Sequence, residues 1–253
     1  MNGQQRHDAS QSDKRRSKPA SGLSTADRPN ERATGTDGTV TDVSERSANV
    51  WDEAASTFDQ AADHGLHDPD VRSAWTALLS RTLPQKPSRV ADLGCGTGSL
   101  TTLAADLGHT VDGIDFSEAM LTLARTKSAG RQRITFTQGD AANPPLPDNA
   151  YDVVMCRHVL WALPHAVTAL STWSRLLRPT GLLVLIEGRW STGAGLSSHE
   201  TAALLRTCGF TPKIEPLDDP QYWGGPTTDD RYLATGRKGH FSRDRDAIRR
   251  GAA

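Results

Sequence analysis

Along the middle of the chain, short apolar runs alternate with segments whose apolar residues recur at helical spacing. Ser88–Leu93, Thr110–Ile114, Ile134–Gln138, Tyr151–Cys156 and Leu182–Ile186 read as strands. The last two are Val- and Leu-rich, as strands covered on both faces are. Between them lie periodic stretches: 99–107 closing at Gly108, 117–128 with Ser117 as cap, and 166–177, stopped by Pro179 and Gly181. Upstream, one helix is predicted from about Asn49 to Ala62. Another is capped by Asp68–Pro69 and carries Val71, Trp75, Leu78 and Leu79 on one face. Downstream, Ser197 and Glu200 have capping-box spacing for a helix ending at Gly209. Two further β-like runs, 211–217 and 231–235, flank the turn Trp223–Gly224–Gly225–Pro226. Strands alternating with helices predict an open, mostly parallel α/β sheet with helices on both faces, whose ligands bind beyond the carboxyl ends of the strands.

Composition trims this core. Residues 1–48 hold almost no large apolar side chains and are expected to be a disordered polar tail. Residues 237–253 are short, polar and basic, and are expected to be a second. Without both tails, 49–236 carries 15 basic and 21 acidic side chains, a net charge of −6. That sign argues against nucleic acid as partner, since such binding draws on Lys and Arg at phosphates. Cys95, Cys156 and Cys208 are odd in number and far apart, and no Cys/His cluster has metal-ligand spacing, so neither a disulfide nor a metal is expected. There is no signal-peptide-like run and no apolar stretch of membrane-spanning length, so a cytoplasmic protein is expected.

The first strand runs into Asp92–Leu93–Gly94–Cys95–Gly96–Thr97–Gly98 and then a helix. Glycines there serve either a tight turn at positive φ or a ligand that needs close backbone approach. A dinucleotide fingerprint would need Gly at position 99, where Ser99 stands. The second strand ends at Asp115–Phe116, about 20 residues past the loop, where a carboxylate can accept from two ribose hydroxyls. The third ends in Gly139–Asp140–Ala141. Upstream, Trp51, Ala55 and Phe58 share one helical face, flanked by Asp52 and Asp59. That stripe suits either core packing or a lid.

The acidic–x–G–x–G–x–G pattern, with these elements in this order, resembles motif I and its companions in class I S-adenosylmethionine-dependent methyltransferases, over roughly residues 49 to 236. The resemblance implies a Rossmann-like seven-stranded sheet with the last strand antiparallel, and N-terminal lid helices over 49–84. It implies S-adenosyl-L-methionine as cofactor, held by Asp92, Gly94, Gly96, Gly98, Asp115, Phe116, Asp140 and Ala141, with Trp51 and Phe58 in the lid. Arg157 is counted with the cofactor residues, and pairing with an acidic substrate group or capping a helix are its other readings. Asp115 would serve the ribose, Asp140 the adenine amine, and Phe116 and Ala141 the faces of the ring. Thr180 stands where the family usually has Gly. Asn143–Pro144–Pro145–Leu146 is similar to a base-amino methylation motif but precedes the fourth strand instead of following it, which rejects that activity.

Methyl transfer to a small organic acceptor is the expected function. RNA or protein methylation and a non-catalytic cofactor-binding module are the alternatives. If a general base is used, His158 at the end of the fourth strand is the candidate, with His64 next, because a histidine can be tuned near neutral pH. Trp161, Trp190 and Trp223 follow the fourth, fifth and sixth strands, and either line an acceptor pocket or pack in the core.

Overall fold

The computed structural model describes residues 40–239, and the side chains of 49–239. The tails expected to be disordered thus lie outside the described residues for 1–39 and 240–253. Their inner ends differ from expectation. Helix α1 spans Val40–Phe58, so it begins before Asn49. Strand β7 spans Asp230–Lys238 and takes in the first two residues assigned to the basic tail. Composition reports on how much surface a segment can bury; backbone hydrogen bonding, which extends α1 and β7, is not read from it.

After α1 come α2 (Ala62–Gly65) and α3 (Pro69–Thr82). Then β1 (Arg89–Leu93), α4 (Ser99–Asp106), β2 (Thr110–Asp115), α5 (Glu118–Lys127), β3 (Ile134–Gln138) and β4 (Tyr151–Arg157) alternate. The chain continues through a 3-10 turn at Leu160–Ala162, α6 (Ala166–Leu176), β5 (Leu177–Arg189), α7 (Ser198–Thr207), β6 (Phe210–Pro216), a 3-10 turn at Pro220–Tyr222, and β7. The caps follow the sequence. Asp68 accepts from Asp70 and Val71, Ser117 accepts from Met120, and Ser197 with Glu200 closes a full capping box.

The seven strands form one sheet in the order β3-β2-β1-β4-β5-β7-β6. Pairs from β3 to β5 are parallel, and β7 is antiparallel to both β5 and β6. The order reverses between β1 and β4, which opens a crevice at their carboxyl ends. Apolar side chains fill both faces. One core joins α3 and α4 to the sheet through Trp75, Leu79, Leu103, Val90, Met155 and Val184. The other seats α6 and α7 through Leu170, Trp173, Leu205, Ala91, Val154 and Leu185. Trp75 is fully buried and donates from Nε1 to the Tyr222 carbonyl at 2.7 Å. A buried indole is seldom left without such a partner.

Strand β5 begins at Leu177, earlier than the apolar run 182–186 predicts. Leu177 pairs with Tyr151, and pairing resumes at Leu182 with Val153, leaving 178–181 as an irregularity. Pro179 and Gly181 therefore interrupt the strand instead of preceding it. Thr180 within this bulge is exposed and sits at φ 66°. A β-branched residue in the left-handed region carries a cost of about 1–2 kcal/mol that glycine avoids, partly offset by glycine's entropy. Thr180→Gly is expected to raise the melting temperature by roughly 2–4 °C; scanning calorimetry showing a fall would contradict the strain.

Candidate functional site

The glycine loop is shaped by its own dihedrals. Gly94, Gly96 and Gly98 have φ of 68°, 54° and 75°. A side chain at Gly94 would also strike Val159, whose Cγ2 lies 2.4 Å from the position of a Cβ. The amides of Gly94 and Cys95 donate to the Ile114 carbonyl at 2.7 and 2.9 Å, so the loop is anchored on β2.

Asp115 completes that anchor. One of its oxygens accepts from the Gly96 amide at 2.8 Å, the other from the Ser117 amide at 2.9 Å. It is buried, which raises its pKa against the pull of those amides. Asp92 is buried as well and accepts from Thr101 Oγ1 at 2.5 Å. Burial pushes it up to about 6, opposed by the Thr101 hydroxyl and Arg157.

A cavity of about 40 Å³ opens here, lined by Phe58, His64, Asp92, Arg157 and the Gly94–Leu100 segment. Phe58 covers Gly96, with Cε1 3.5 Å from where a Cβ would stand, and stacks on His64 at 4.2 Å. Trp51 meets Phe58 edge-on at 6.1 Å. The carboxylates flanking this stripe clamp it down. Asp52 accepts from Ser117 Oγ and the Ala119 amide, while Asp59 accepts from Thr97 Oγ1 and pairs with Lys127 at 2.7 Å. Lys127 in turn donates to Thr97 and Ser99, so both ends of α5 and the glycine loop grip α1.

Arg157 donates to the Asp63 carbonyl and lies over the Trp75 ring at 5.2 Å. Asp115, Phe116, Asp140 and Ala141 stand at the ends of β2 and β3 on the same edge of the sheet but do not line the cavity. Asp140 is exposed and holds its own turn through the Ala142 amide at 2.8 Å.

Both histidines depart from the expectation of a base tuned near neutrality. Burial, with Arg157 and Arg231 nearby, holds His158 well below its ordinary range. Burial lowers His64 to about 4 against the pull of Asp63. Each is neutral at pH 7 and a weak base. The sequence showed their positions and not their burial, which decides the matter.

Sequence reasoning missed Lys127, Thr97, Thr101, Arg231 and Glu187, most of which have partners far away in the chain. Glu187 ends the apolar run of β5, fully buried, and its Oε1 accepts from the Val159 and Leu160 amides at 3.1 and 2.8 Å. It thereby fixes the turn that follows His158. A lone carboxylate closing a run of buried apolar residues was the available signal.

A larger open groove of about 380 Å³ lies elsewhere, bordered by Arg81, Lys213, Glu215 and Arg237 at the amino end of β5. It is spanned by the Arg81–Glu215 ion pair and contains no part of the glycine loop. A buried carboxylate, Asp92, and a backbone cradle make the smaller cavity the candidate site. Among the described residues, no cluster of His, Cys, Asp or Glu could hold a metal ion, and no helix is long and apolar enough to cross a membrane.

With this geometry established, similarity to known proteins adds a family context. Residues 91–185 match a family model described as a methyltransferase domain. A Bacillus subtilis protein named as a methyltransferase, YqeM, is 34% identical over 139 residues, covering 53% of this chain and 54% of its own. A demethylmenaquinone methyltransferase of Staphylococcus epidermidis is 38% identical over 113 residues, 44% of this chain and 47% of its own. The chain thus spans about half the length of these curated relatives. Two solved structures share the fold. The [4+2]-cyclase SpnF has a TM-score of 0.58 at 23% identity, covering 66% of this chain and 80% of its own. Haemonchus contortus phosphoethanolamine N-methyltransferase 2, in complex with S-adenosyl-L-methionine, has a TM-score of 0.56 at 17% identity, covering 66% and 53%.

Burial raises the Glu187 pKa from 4.5 to about 8, with the amides of Leu160 and Val159 pulling the other way. The folded state therefore holds a proton that the unfolded chain releases, and stability falls as pH rises between those values. Glu187→Gln removes that titration. Its melting temperature is expected to gain on the wild type steadily from about pH 5 to pH 8. Parallel melting curves across that range would show that Glu187 is ionised in the fold.

Proposed function

We propose that this chain, whose residues 91–185 match a methyltransferase domain model and whose fold is shared with an S-adenosylmethionine-dependent methyltransferase, is itself such an enzyme acting on a small organic molecule. One observation carries the reading: a buried carboxylate at the end of β2, Asp115, is tied to the backbone of the glycine loop after β1. Such a pairing sets a ribose acceptor beside a cradle with no Cβ atoms.

The residues suit the cofactor. The Gly94–Gly98 backbone and Asp92 would border its amino-acid end, with Arg157 offering a cation to the carboxylate. Asp115 retains lone pairs for the ribose hydroxyls beyond those its two amides use. Asp140, Ala141 and Phe116 are assigned to the adenine by their place at the ends of β3 and β2. The cavity of about 40 Å³ is far smaller than the several hundred Å³ such ligands occupy. Room is made by Phe58 and His64 moving off Gly96, which fits α1 and α2 as a lid. When bound, the cofactor supplies a methyl group already activated on a sulfonium. The chain's remaining work is to align the acceptor and keep water out. Phe58, His64 and Trp51 close the cofactor side, and the neutral histidines leave proton removal to the acceptor's own acidity.

A small acceptor is supported by the acidic balance of 49–236, by the lid, and by the relatives named for demethylmenaquinone methylation. The cyclase among the structural neighbours favours a second reading to test, in which the fold transfers nothing. Incubation with methyl-labelled cofactor and cell extract separates them, since only a transferase yields a labelled product. S-adenosylhomocysteine at about a hundred times its Kd is expected to stabilise the protein by about 2.7 kcal/mol in a thermal shift. Asp115→Ala is expected to weaken that binding by about tenfold or more. Unchanged affinity in the variant would remove Asp115 from the site, and the absence of any shift in the wild type would remove the cofactor.

A further inference from the structure

The segment that borders the cofactor cavity continues into a second surface. Arg157 lines the cavity, Val159 packs on Gly94, and His158 lies between them. His158 sits at φ 58°, in the left-handed region, held by its amide donating to the Ile186 carbonyl at 2.8 Å. Its Nε2 is buried and has no hydrogen-bond partner. Strained backbone and an unpaired buried nitrogen both carry a cost, and they cluster where ligands bind.

Around this nitrogen stand three indoles. Trp190 meets the imidazole edge-on at 5.2 Å, and Trp223 stacks on it at 6.2 Å. Trp161 tilts against Trp190 at 5.1 Å and donates from its Nε1 to the His158 carbonyl at 2.9 Å. Trp161 and Trp190 are only half buried, so this aromatic wall keeps an open side.

Two guanidiniums flank the wall. Arg231 lies over the Trp223 ring at 4.2 Å, and Arg157 over Trp75 at 5.2 Å. Arg157 and Arg231 both act on His158 in the direction that disfavours a positive charge there. Arg231 itself is held by Asp229 at 2.8 Å and Asp63 at 3.5 Å. The Trp223 face is already taken by the Arg231 guanidinium, and a further positive charge beside His158 would meet the repulsion of Arg157 and Arg231. A cationic amine is therefore a poor occupant, whereas a group that is acidic or bears partial negative charge is a good one.

We propose that the methyl acceptor is a planar aromatic compound bearing an acidic hydroxyl, of the phenol class, lying against Trp161 and Trp190 with its oxygen at His158 Nε2. A neutral imidazole serves either protonation state of such a group, accepting from the O–H or donating to the oxyanion according to its tautomer. The two guanidiniums lower the cost of the oxyanion, so the hydroxyl proton leaves to solvent. The oxygen then takes the methyl group as the carbon–sulfur bond breaks, with S-adenosylhomocysteine as leaving group. This inference deepens the methyltransferase reading and rests on it.

The test uses the full chain saturated with S-adenosylhomocysteine, titrated calorimetrically with 1-naphthol and, separately, with benzylamine. The expected result is measurable binding of 1-naphthol and at least about a hundredfold weaker binding of benzylamine. Trp190→Leu and Trp161→Leu are each expected to weaken 1-naphthol by about tenfold, with S-adenosylhomocysteine affinity kept within about twofold as the control for folding. Benzylamine binding as tightly as 1-naphthol would overturn the proposal. So would no 1-naphthol binding to the cofactor-product complex, or unchanged 1-naphthol affinity in both variants. Failure of the wild type to bind S-adenosylhomocysteine is a separate outcome that overturns the cofactor reading on which the inference stands.

Discussion

The site depends on one carboxylate. Asp115 receives the Gly96 amide on one oxygen and the Ser117 amide on the other, at the buried end of a strand. That pair of bonds fixes three things together: the curvature of the glycine loop, the start of α5, and the separation of β1 from β2 at their carboxyl ends. A buried carboxyl is costly unless it is hydrogen-bonded, and these amides are donors that a loop and a helix start would otherwise leave unpaired. Loop and acid therefore stabilise one another, and the cradle is built before any ligand arrives.

Helix α1 is fastened to the same frame. Ser117, which caps α5 beside Asp115, also donates to Asp52 of α1, and Thr97 of the glycine loop donates to Asp59. The helix that covers the cavity is thus held by the elements that form its floor. These contacts are polar and partly exposed, so they are individually weak and suited to being broken. The apolar contribution of Phe58 and Trp51 is likewise confined to one face.

Much of this was legible in the sequence because it is local. The apolar runs marked the strands, Asp68, Ser117 and Ser197 marked the helix starts, and Asp92–Gly98 with Asp115 marked the crevice. What was not legible depends on distant partners. Nothing near Lys127 announces Asp59, and nothing near Arg157 announces Asp63. The early start of β5 arises from pairing Leu177 with Tyr151 across a bulge at Thr180, a matter of register and not of local composition. The sequence shows His158 at the end of β4 but not its proton affinity, which burial and the nearby arginines lower.

That the cradle is built for a nucleoside attached to an amino acid, and not for a dinucleotide, is the claim on which the functional account stands. Ser99 occupies the position a dinucleotide fingerprint gives to glycine, and its hydroxyl accepts from Lys127 at 2.8 Å. Isothermal titration of the full chain with S-adenosylhomocysteine and with NAD measures this directly. The account predicts one-to-one binding of S-adenosylhomocysteine and no heat of binding with NAD. Binding of NAD without S-adenosylhomocysteine would contradict it.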